Sequence, residues 1–506
     1  MERCGRANTL VDMNSVSIGV PAYDSTLLSA MSQRVLIGDG AMGTMLQAAD
    51  LTLDDFLGLE GCNEILNETR PDVLAHIHRS YFEAGADLVE TNTFGCNLSN
   101  LGDYDIADRI TDLAYRGTAI ARGVADEMGK TASGTDRFVL GSIGPGTKLP
   151  SLGHTTFAVL RDAYQQCATG MLDGGADGIL IETAQDLLQV KAAAVACRRA
   201  MAQVGRHIPI LVHVTVETTG TMLLGSEIGA ALTALEPLGI DVIGLNCATG
   251  PAEMSEHLRY LSRHARIPVS VMPNAGLPVL GPKGAEYPLT PEELAVALSG
   301  FVTEYGLSMV GGCCGTTPEH IRQVADAVAA VERAPRDPQH ESATSSLYTS
   351  VPFDQDASFL VIGERTNSNG SKAFREAMIA QDYQHCLDVA KEQTRDGAHM
   401  LDLNVDYVGR DGALDMTALA TRFATASTLP IMIDSTEPDV IEAGLEALGG
   451  RCAVNSVNFE DGDGPGSRYQ RIMALAVEHG AAVVALTIDE EGQARTADHK
   501  VRIAER

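Results

Sequence analysis

The sequence predicts an α/β protein that consists of a (β/α)8 TIM barrel followed by a second, incomplete barrel of the same type. Short apolar runs recur along the chain, and each ends in polar residues or glycine before a segment with helical periodicity. A pattern of helix end, Gly-Ala turn and buried strand also repeats, as in EAGADLVETNTF and DGGADGILIET. A doubly wound open sheet is the alternative architecture.

The first eight apolar runs account for one complete barrel. They fall within about 280 residues, which suits eight βα units and places any chemistry on the loops that follow the strands. The runs are VLIGDG from Val35, DLVETNTF from Asp87, FVLGSIGP from Phe138, GILIET from Gly178, IPILVHVT from Ile208, DVIGLNC from Asp241, IPVSVMPN from Ile267 and LSMVGGCC from Leu307.

The segments outside these runs predict the domain boundaries. Residues 1–30 are polar and irregular, so we expect a mobile N-terminal extension before a barrel at 31–332. Residues 333–357 are rich in Pro, Ser and Asp and are interpreted as a linker. Residues 358–506 hold five more strand-like runs, from Phe359, His399, Pro430, Cys452 and Ala482. Because a barrel needs eight strands, we expect either a truncated chain or strands supplied from elsewhere.

Charge and composition exclude several classes of protein. The chain has 37 Lys and Arg against 67 Asp and Glu, a net charge of −30, which argues against binding to nucleic acid or to anionic membranes. It lacks an apolar run of 18 residues and a signal-peptide pattern. Its ten cysteines are too sparse for a disulfide scaffold. These features indicate a cytoplasmic location.

Three cysteines lie at the carboxyl ends of predicted barrel strands. Cys247 ends the sixth strand, and Cys313 and Cys314 end the eighth, so all three face one mouth of the barrel. Three thiolates on rigid strands suit a zinc ion with an open fourth position and a thiol substrate. A disulfide between Cys313 and Cys314 would be strained and would leave Cys247 unexplained. The other cysteines are expected to be packing residues, namely Cys4, Cys62, Cys96, Cys167, Cys197, Cys386 and Cys452.

The motifs of the first segment carry a family resemblance. They are GDGAMGT at 38–44, TNTFGCN at 91–97, ETAQD at 182–186, GLNC at 244–247, PNAG at 273–276 and GGCCGTTPEHI at 311–321. Together they resemble the homocysteine-binding barrel shared by the cobalamin-dependent methionine synthase and betaine–homocysteine methyltransferase families. The resemblance implies that Cys247, Cys313 and Cys314 ligate zinc and that the homocysteine thiolate is the fourth ligand.

The same resemblance assigns the substrate's amino-acid end. It implies that Glu182 and Asn274 hold the amino acid, with the carboxylate suited to the substrate ammonium. Asp39 belongs to the same predicted site, although capping the glycine-rich turn is an equal alternative. Thr91, Thr93 and His213 also face the mouth by position, with packing or turn roles as alternatives.

The second segment resembles a pterin-binding barrel of the methionine synthase and dihydropteroate synthase type. Its motifs are IGERTNSNGSKAFR at 362–375, GAHMLDLNVDY at 397–407, IMIDSTEPDVIEAGL at 431–445 and VNSVNFEDG at 454–462. A carboxylate at a strand end can accept paired hydrogen bonds from a pterin ring, while amides contact the rest of its edge. The predicted folate-binding residues are Glu364, Asn367, Asp402, Asp434, Asn455 and Asp489.

The methionine synthase family joins these two barrels in this order. The resemblance therefore implies an enzyme of methionine biosynthesis in which a methyl group passes from 5-methyltetrahydrofolate to cobalamin and then to homocysteine. The corrinoid module is absent from this chain, so we expect it in a missing C-terminal part or in another chain. Two alternatives stay open: a corrinoid-independent homocysteine S-methyltransferase, and a non-catalytic zinc- and homocysteine-binding fragment that needs a partner chain.

Overall fold

In the computed structural model, the described residues are 23–131, 134, 136–281, 284–356 and 358–506. The first part of the chain forms an eight-stranded, nearly closed parallel barrel, which confirms the predicted barrel and all eight strand runs. The strands are β1 Leu36–Ile37, β2 Leu88–Glu90, β3 Phe138–Ile143, β4 Gly178–Ala184, β5 Ile210–Val214, β6 Val242–Asn246, β7 Val269–Met272 and β10 Met309–Val310. Their order in the sheet is β1-β10-β7-β6-β5-β4-β3-β2.

One aspartate joins the two ends of this sheet. The backbone N–H of Asp87 donates to the carbonyl of Ile37 over 2.7 Å. The Asp87 carboxylate accepts from the Ile37 N–H at 2.9 Å and pairs with Arg34 at 2.6 Å. Side chain and backbone together therefore connect β1 to the start of β2, where no strand ladder forms.

Helices surround this barrel. Proline in the first turn suits four of them because a helix start has no use for that N–H, and Asp186 caps another by accepting from the Leu188 N–H. The helices are α2 Met42–Ala48, α3 Leu66–Thr69, α4 Pro71–Glu83, α5 Leu98–Gly102, α6 Ile110–Met128, α7 Phe157–Gly174, α8 Leu187–Val204, α9 Ile228–Leu235, α10 Pro251–His264, α11 Pro291–Tyr305 and α12 Pro318–Ala329. A hairpin of β8 Val279–Gly281 and β9 Gly284–Glu286 follows β7.

The predicted mobile extension at 1–30 needs a correction at its end. Helix α1 spans Thr26–Gln33, and the Ser25 hydroxyl caps it by accepting from the Leu28 N–H. Its buried Leu27 and Met31 cluster with apolar residues of the barrel strands, most of them near the strand starts. Burial of these apolar side chains closes the amino-terminal end of the barrel, so residues 26–30 are part of the domain. Residues 1–22 of the predicted extension lie outside the described residues.

The predicted linker at 333–357 also contains regular structure. Strands β11 Ala343–Ser345 and β12 Ser350–Pro352 form an antiparallel hairpin. The Glu227 N–H of the barrel donates to the Tyr348 carbonyl at 2.9 Å. The Arg451 guanidinium of the second unit donates to the Ala343 carbonyl at 2.8 Å. The hairpin therefore contacts both units.

The second unit contains the five predicted strands, and they form one parallel sheet in sequential order. Its strands are β13 Ile362–Gly363, β14 Met400–Leu403, β15 Ile431–Asp434, β16 Ala453–Val457 and β17 Ala482–Ala485. Its helices are α13 Lys372–Ile379, α14 Tyr383–Arg395, α15 Gly412–Ala426, α16 Pro438–Leu445, α17 Arg468–Glu478 and α18 Ala497–Glu505. A short hairpin of β18 Ile488–Asp489 and β19 Gly492–Gln493 follows β17. Both edge strands leave apolar side chains exposed, as at Ile362 and Val484.

Charged side chains fix the two units to each other. The buried Lys191 ammonium on α8 donates to the Leu448 carbonyl at 2.8 Å. Arg161 pairs with Glu446 at 2.9 Å, and Arg199 pairs with Glu478 at 2.8 Å. These contacts hold the second sheet against the α7–α8 side of the barrel. Across the described ranges, no helix is both long enough and apolar enough to cross a membrane.

Candidate functional site

The three predicted cysteine ligands converge at the carboxyl end of the first barrel. The Sγ atoms of Cys247 and Cys314 lie 3.9 Å apart, and those of Cys313 and Cys314 lie 4.0 Å apart. All three sulfurs lie within 4.8 Å of one another. A tetrahedral centre with metal–sulfur bonds of about 2.3 Å separates its sulfurs by about 3.8 Å. The trio therefore has the spacing of a three-thiolate metal site.

The backbone around the trio is strained and closely tied. Cys247 and Ala248 have φ of 60° and 55°, in the left-handed region that non-glycine residues rarely adopt. The Cys313 N–H donates to the Pro273 carbonyl at 2.8 Å, and the Cys314 N–H donates to Asn274 Oδ1 at 3.0 Å. Asn274, predicted as a substrate residue, thus directly positions a sulfur-bearing residue.

The thiols share charge unequally. Hydrogen bonds from Cys247 and Cys313 lower the pKa of Cys314 to about 3. Hydrogen bonding with Cys247, and then with Cys314, raises the pKa of Cys313 above its usual range. Hydrogen bonding to Tyr287 also lowers the pKa of Cys314. The lowered pKa favours the thiolate form of Cys314, which is the form that binds a metal.

A cavity of about 240 Å³ opens beside the sulfurs. It is lined by the glycine-rich turn, by carboxylates at the ends of β2 and β4, and by the three cysteines. Lining residues include Gly40, Gly43, Thr44, Glu90, Glu182, Cys247, Cys313 and Cys314. A cavity lined by both sulfur and carboxylate suits a small molecule that carries both a thiol and an ammonium group.

Glu182 is the buried carboxylate that the prediction placed at the amino-acid end of the substrate. It accepts hydrogen bonds from the Ser142 hydroxyl and, at 2.8 Å, from Asn246 Nδ2. Burial raises its pKa to about 7, with the Cys314 charge adding to the effect. Glu182 lines the same cavity as the three cysteines.

Asp39 lies behind the cavity wall rather than on it. Its side chain is buried, and Oδ2 accepts from the Glu90 N–H at 3.0 Å, which ties the glycine-rich turn to β2. Thr91 lines the cavity. Thr93 donates to the Ser142 carbonyl, and His213 pairs with Ser270 at 2.6 Å inside the barrel. Thr93 and His213 thus have the packing roles that were their alternatives.

Asn246 is a site residue that the sequence reasoning missed. It precedes Cys247 in the GLNC string, and its amide contacts Glu182, Thr183 and Cys313. Its position at the end of β6 was the available signal. Six of the seven cysteines expected to be packing residues are buried, and Cys4 lies outside the described residues.

The second site is a cluster of carboxylates and amides at the strand ends of the open sheet. Asn367 Nδ2 donates to Asp402 Oδ2 and to Asp434 Oδ2, each at 2.8 Å. Asn404 Nδ2 donates to Asp434 Oδ2 at 3.3 Å. Burial raises the pKa of Asp402 to about 6 and also raises that of Asp434. Three predicted residues, Asn367, Asp402 and Asp434, therefore meet.

The other predicted folate residues take different positions. Asn455 is the register partner of Asp434 on the neighbouring strand. Glu364 is exposed at the rim, where its charge raises the pKa values of Asp402 and Asp434. Ser435 and Asp406, which were missed, pair with each other at 2.9 Å. The alternation of Asp402, Asn404 and Asp406 at and just beyond the end of β14 was the signal for Asn404 and Asp406.

Asp489 is not joined to this cluster by any described contact. Its carboxylate pairs with His499 Nε2 at 2.8 Å and accepts from the Glu491 N–H at 3.0 Å. Ligand atoms of Asp489, Glu491 and His499 lie within 4.8 Å of one another. Arg502 pairs with both carboxylates, at 3.7 and 3.6 Å, and offsets their charge.

Comparisons with known proteins match both units of the chain. The family model for homocysteine S-methyltransferase matches residues 36–328, and the model for pterin binding enzymes matches residues 363–506. These matches confirm both resemblances predicted from the motifs.

Curated relatives cover nearly the whole chain. It is 76% identical over 484 residues to methionine synthase of Mycobacterium tuberculosis (strain ATCC 25618 / H37Rv) and 73% identical over 489 residues to that of Mycobacterium leprae (strain TN). Each alignment covers 96% of this chain but only 40% of the relative. Among solved structures, the metallated homocysteine methyltransferase MmuM of Escherichia coli aligns at 20% identity and a TM-score of 0.47, over 60% of this chain and 99% of that one.

Proposed function

The chain belongs to the homocysteine S-methyltransferase family, and from that premise we propose that it provides the homocysteine- and folate-binding sites of a methionine synthase. The reaction is methyl transfer to homocysteine, which gives methionine. The methyl donor is 5-methyltetrahydrofolate, and the methyl group travels on cobalamin. The chain spans about 40% of the length of its curated relatives, so this activity is assigned to the assembly in which these two sites act.

We assign the metal of the first site as zinc. Cys247, Cys313 and Cys314 supply three soft donors at suitable separations, and the adjoining cavity leaves a fourth position accessible. When bound, zinc would keep an incoming thiol deprotonated and nucleophilic near neutral pH. Cysteines remain free thiols in a reducing compartment, and this requirement supports action in the cytoplasm.

The chain's own residues orient the amino-acid end of homocysteine. Glu182 lines the same cavity as the sulfurs, so its carboxylate can pair with the substrate ammonium. Asn274 acts through Cys314, because its Oδ1 accepts a hydrogen bond from the Cys314 N–H. Asp39 acts through the Glu90 backbone and so shapes the cavity wall. Both are therefore proposed as positioning residues.

The second site suits a flat, polar ring. Asp434 and Asn455 lie side by side on adjacent strands, where a carboxylate and an amide can bind one edge of a pterin. Asp402 Oδ1 is buried and has no partner among the described residues, so it can accept from a ring N–H. Asn367 donates hydrogen bonds to Asp402 and Asp434, and the Glu364 charge lies near Asp402. We assign no side chain of this chain to the corrinoid, whose module we place outside it.

The observation that carries the proposal is the convergence of three sulfurs on a cavity that also holds a buried carboxylate. The test supplies methylcobalamin and homocysteine to the full chain and compares wild type with Cys313→Ala. We expect methionine formation to fall about 100-fold or more, because one of three metal ligands is lost.

Cys167→Ala is the matched control, since Cys167 is a buried packing residue of α7. It should retain wild-type methionine formation. Equal methionine formation by wild type and Cys313→Ala would reject the thiolate mechanism.

A further inference from the structure

The Asn246 amide connects the two ends of the first site. Its Nδ2 donates to Glu182 Oε2 at 2.8 Å and contacts Cys313 Sγ at 3.9 Å. One buried side chain thus contacts both the carboxylate assigned to the substrate ammonium and a sulfur assigned to the metal.

The same amide also stabilises a strained position near the end of β4. Thr183 follows Glu182 and has φ of 54°, which is unfavourable for a β-branched residue. Asn246 Oδ1 accepts from the Thr183 N–H at 2.8 Å, and Nδ2 donates to Thr183 Oγ1 at 3.0 Å. These bonds offset the strain and fix the direction in which the Glu182 side chain projects from β4.

Little freedom is left to this arrangement. Asn246 is fully buried, and its residue pairs in register with Met272 on β7. Glu182 is held from its other side by the Ser142 hydroxyl. Because both groups are held in this way, the distance between the Glu182 carboxylate and the Cys313 sulfur is fixed.

We propose that Asn246 is a specificity-determining positioning residue that sets the distance between the ammonium and thiol subsites and thereby selects homocysteine over thiols one methylene shorter or longer. This inference rests on the proposed function, because it needs the thiol at the metal and the ammonium at Glu182. Asn246 itself touches neither reacting atom and acts through Glu182 and Cys313.

The first experiment uses the wild-type chain loaded with saturating cobalt(II). Cobalt–thiolate charge-transfer absorption reports each thiol as it binds, without any turnover. The probes are cysteine, homocysteine and 2-amino-5-mercaptopentanoic acid. A fixed span predicts tightest binding by homocysteine, by about tenfold or more over both neighbours, as expected for one methylene in a shaped site. Affinity that rises steadily with chain length would overturn the inference.

The second experiment removes the amide. Asn246→Ala should lower the preference for homocysteine over cysteine by about tenfold, because Glu182 is no longer fixed relative to Cys313. Asn246→Asp keeps the shape but replaces the Nδ2 donor with a carboxylate oxygen beside Glu182, and it should weaken binding of all three thiols. Circular dichroism on each variant verifies that it folds.

Gln189→Glu is the matched amide-to-acid control. Gln189 is also buried in the first barrel and donates to the Tyr164 hydroxyl at 2.8 Å, away from the metal ligands. It should keep the wild-type thiol preference. An unchanged preference in folded Asn246→Ala would overturn the inference alone. If homocysteine does not change the cobalt spectrum of the wild-type protein, both the proposed function and this inference are overturned.

Discussion

The two sites solve different geometric problems at the same kind of strand end. In the first barrel, three sulfurs must meet within 4.8 Å, and the backbone turns into the left-handed region at Thr183, Cys247 and Ala248. In the second sheet, Asp434 and Asn455 lie side by side through ordinary parallel register. A metal ion needs donors that converge on a point, whereas a flat ring needs donors along a line. Among the described residues of the two sites, left-handed backbone at non-glycine residues occurs only in the first.

Removal of metal should separate the two sites most sharply. Dialysis of the full chain against a strong chelator should abolish the methyl transfer from methylcobalamin to homocysteine, since no other group in the cavity replaces the metal. Binding of 5-methyltetrahydrofolate should stay within about twofold, because the second cluster contains only carboxylates, amides and hydroxyls. Activity assays and calorimetry measure the two effects.

Readdition of zinc should restore the transfer to homocysteine. Magnesium serves as the control because it prefers oxygen donors over thiolates. Full activity in the chelated protein, or equal rescue by magnesium, would contradict the assignment of a soft-metal site.

A substitution in the second cluster should give the converse result. Asp434→Asn removes a charged acceptor that Asn367 and Asn404 orient. We expect folate affinity to fall about 10- to 100-fold, because hydrogen bonds to charged groups contribute about 1.5–3 kcal/mol. Titration calorimetry measures the loss.

Homocysteine binding at the first site should not change in Asp434→Asn. Asp439→Asn on α16 is the control, since that side chain is exposed and pairs with Arg471 on the surface. Wild-type folate affinity in Asp434→Asn would exclude this carboxylate from the binding site.

The sequence was sufficient to predict the strands and the sulfur trio because both signals are local. Each strand is a buried run with a polar end, and three cysteines at such ends are typical of a metal site. Asp402 and Asp434 were predictable for the same reason. The orientation of Asp434 by Asn404 was not predictable, since that contact depends on how two strands align.

Contacts made between distant segments could not be predicted in this way. Asn246 occupies a buried strand end, and only the fold brings Glu182 beside it. Tyr287 reaches Cys314 through the β8–β9 hairpin, whose course no periodicity indicates. Helix α1 is only eight residues long, so its pattern was too short to distinguish from an irregular extension.

The contact between the two units should respond to acid. His479 is buried beside Phe157 and faces Lys191, Arg198, Arg199 and Arg161, with Glu478 next in sequence. Burial first, and then these cations, lower its pKa well below 6.5. The folded protein keeps His479 neutral while the unfolded chain takes up a proton below about pH 6.5, so stability falls as pH decreases.

The expected loss from this histidine is about 1.4 kcal/mol at pH 5.5 relative to neutral pH. His479→Phe should remove that part of the pH dependence, measured by denaturant unfolding of the full chain at pH 7.5 and 5.5. His76→Phe on the exposed side of α4 is the control. If the pH dependence of stability is unchanged in His479→Phe, the acid effect does not come from His479.

The smallest effect is expected at Asp489, and it tests where the second site ends. Its carboxylate is already engaged by His499 and by the Glu491 backbone, so it has less capacity for a ring than Asp402, whose Oδ1 is unpaired among the described residues. Asp489→Asn should therefore change folate affinity by less than about twofold, as expected for a substitution outside the site. Asp402→Asn, measured in parallel by calorimetry, should lose far more. Comparable losses of folate affinity in both variants would extend the folate site from the strand ends of the sheet to the β18–β19 hairpin. The site would then include residues beyond the five parallel strands.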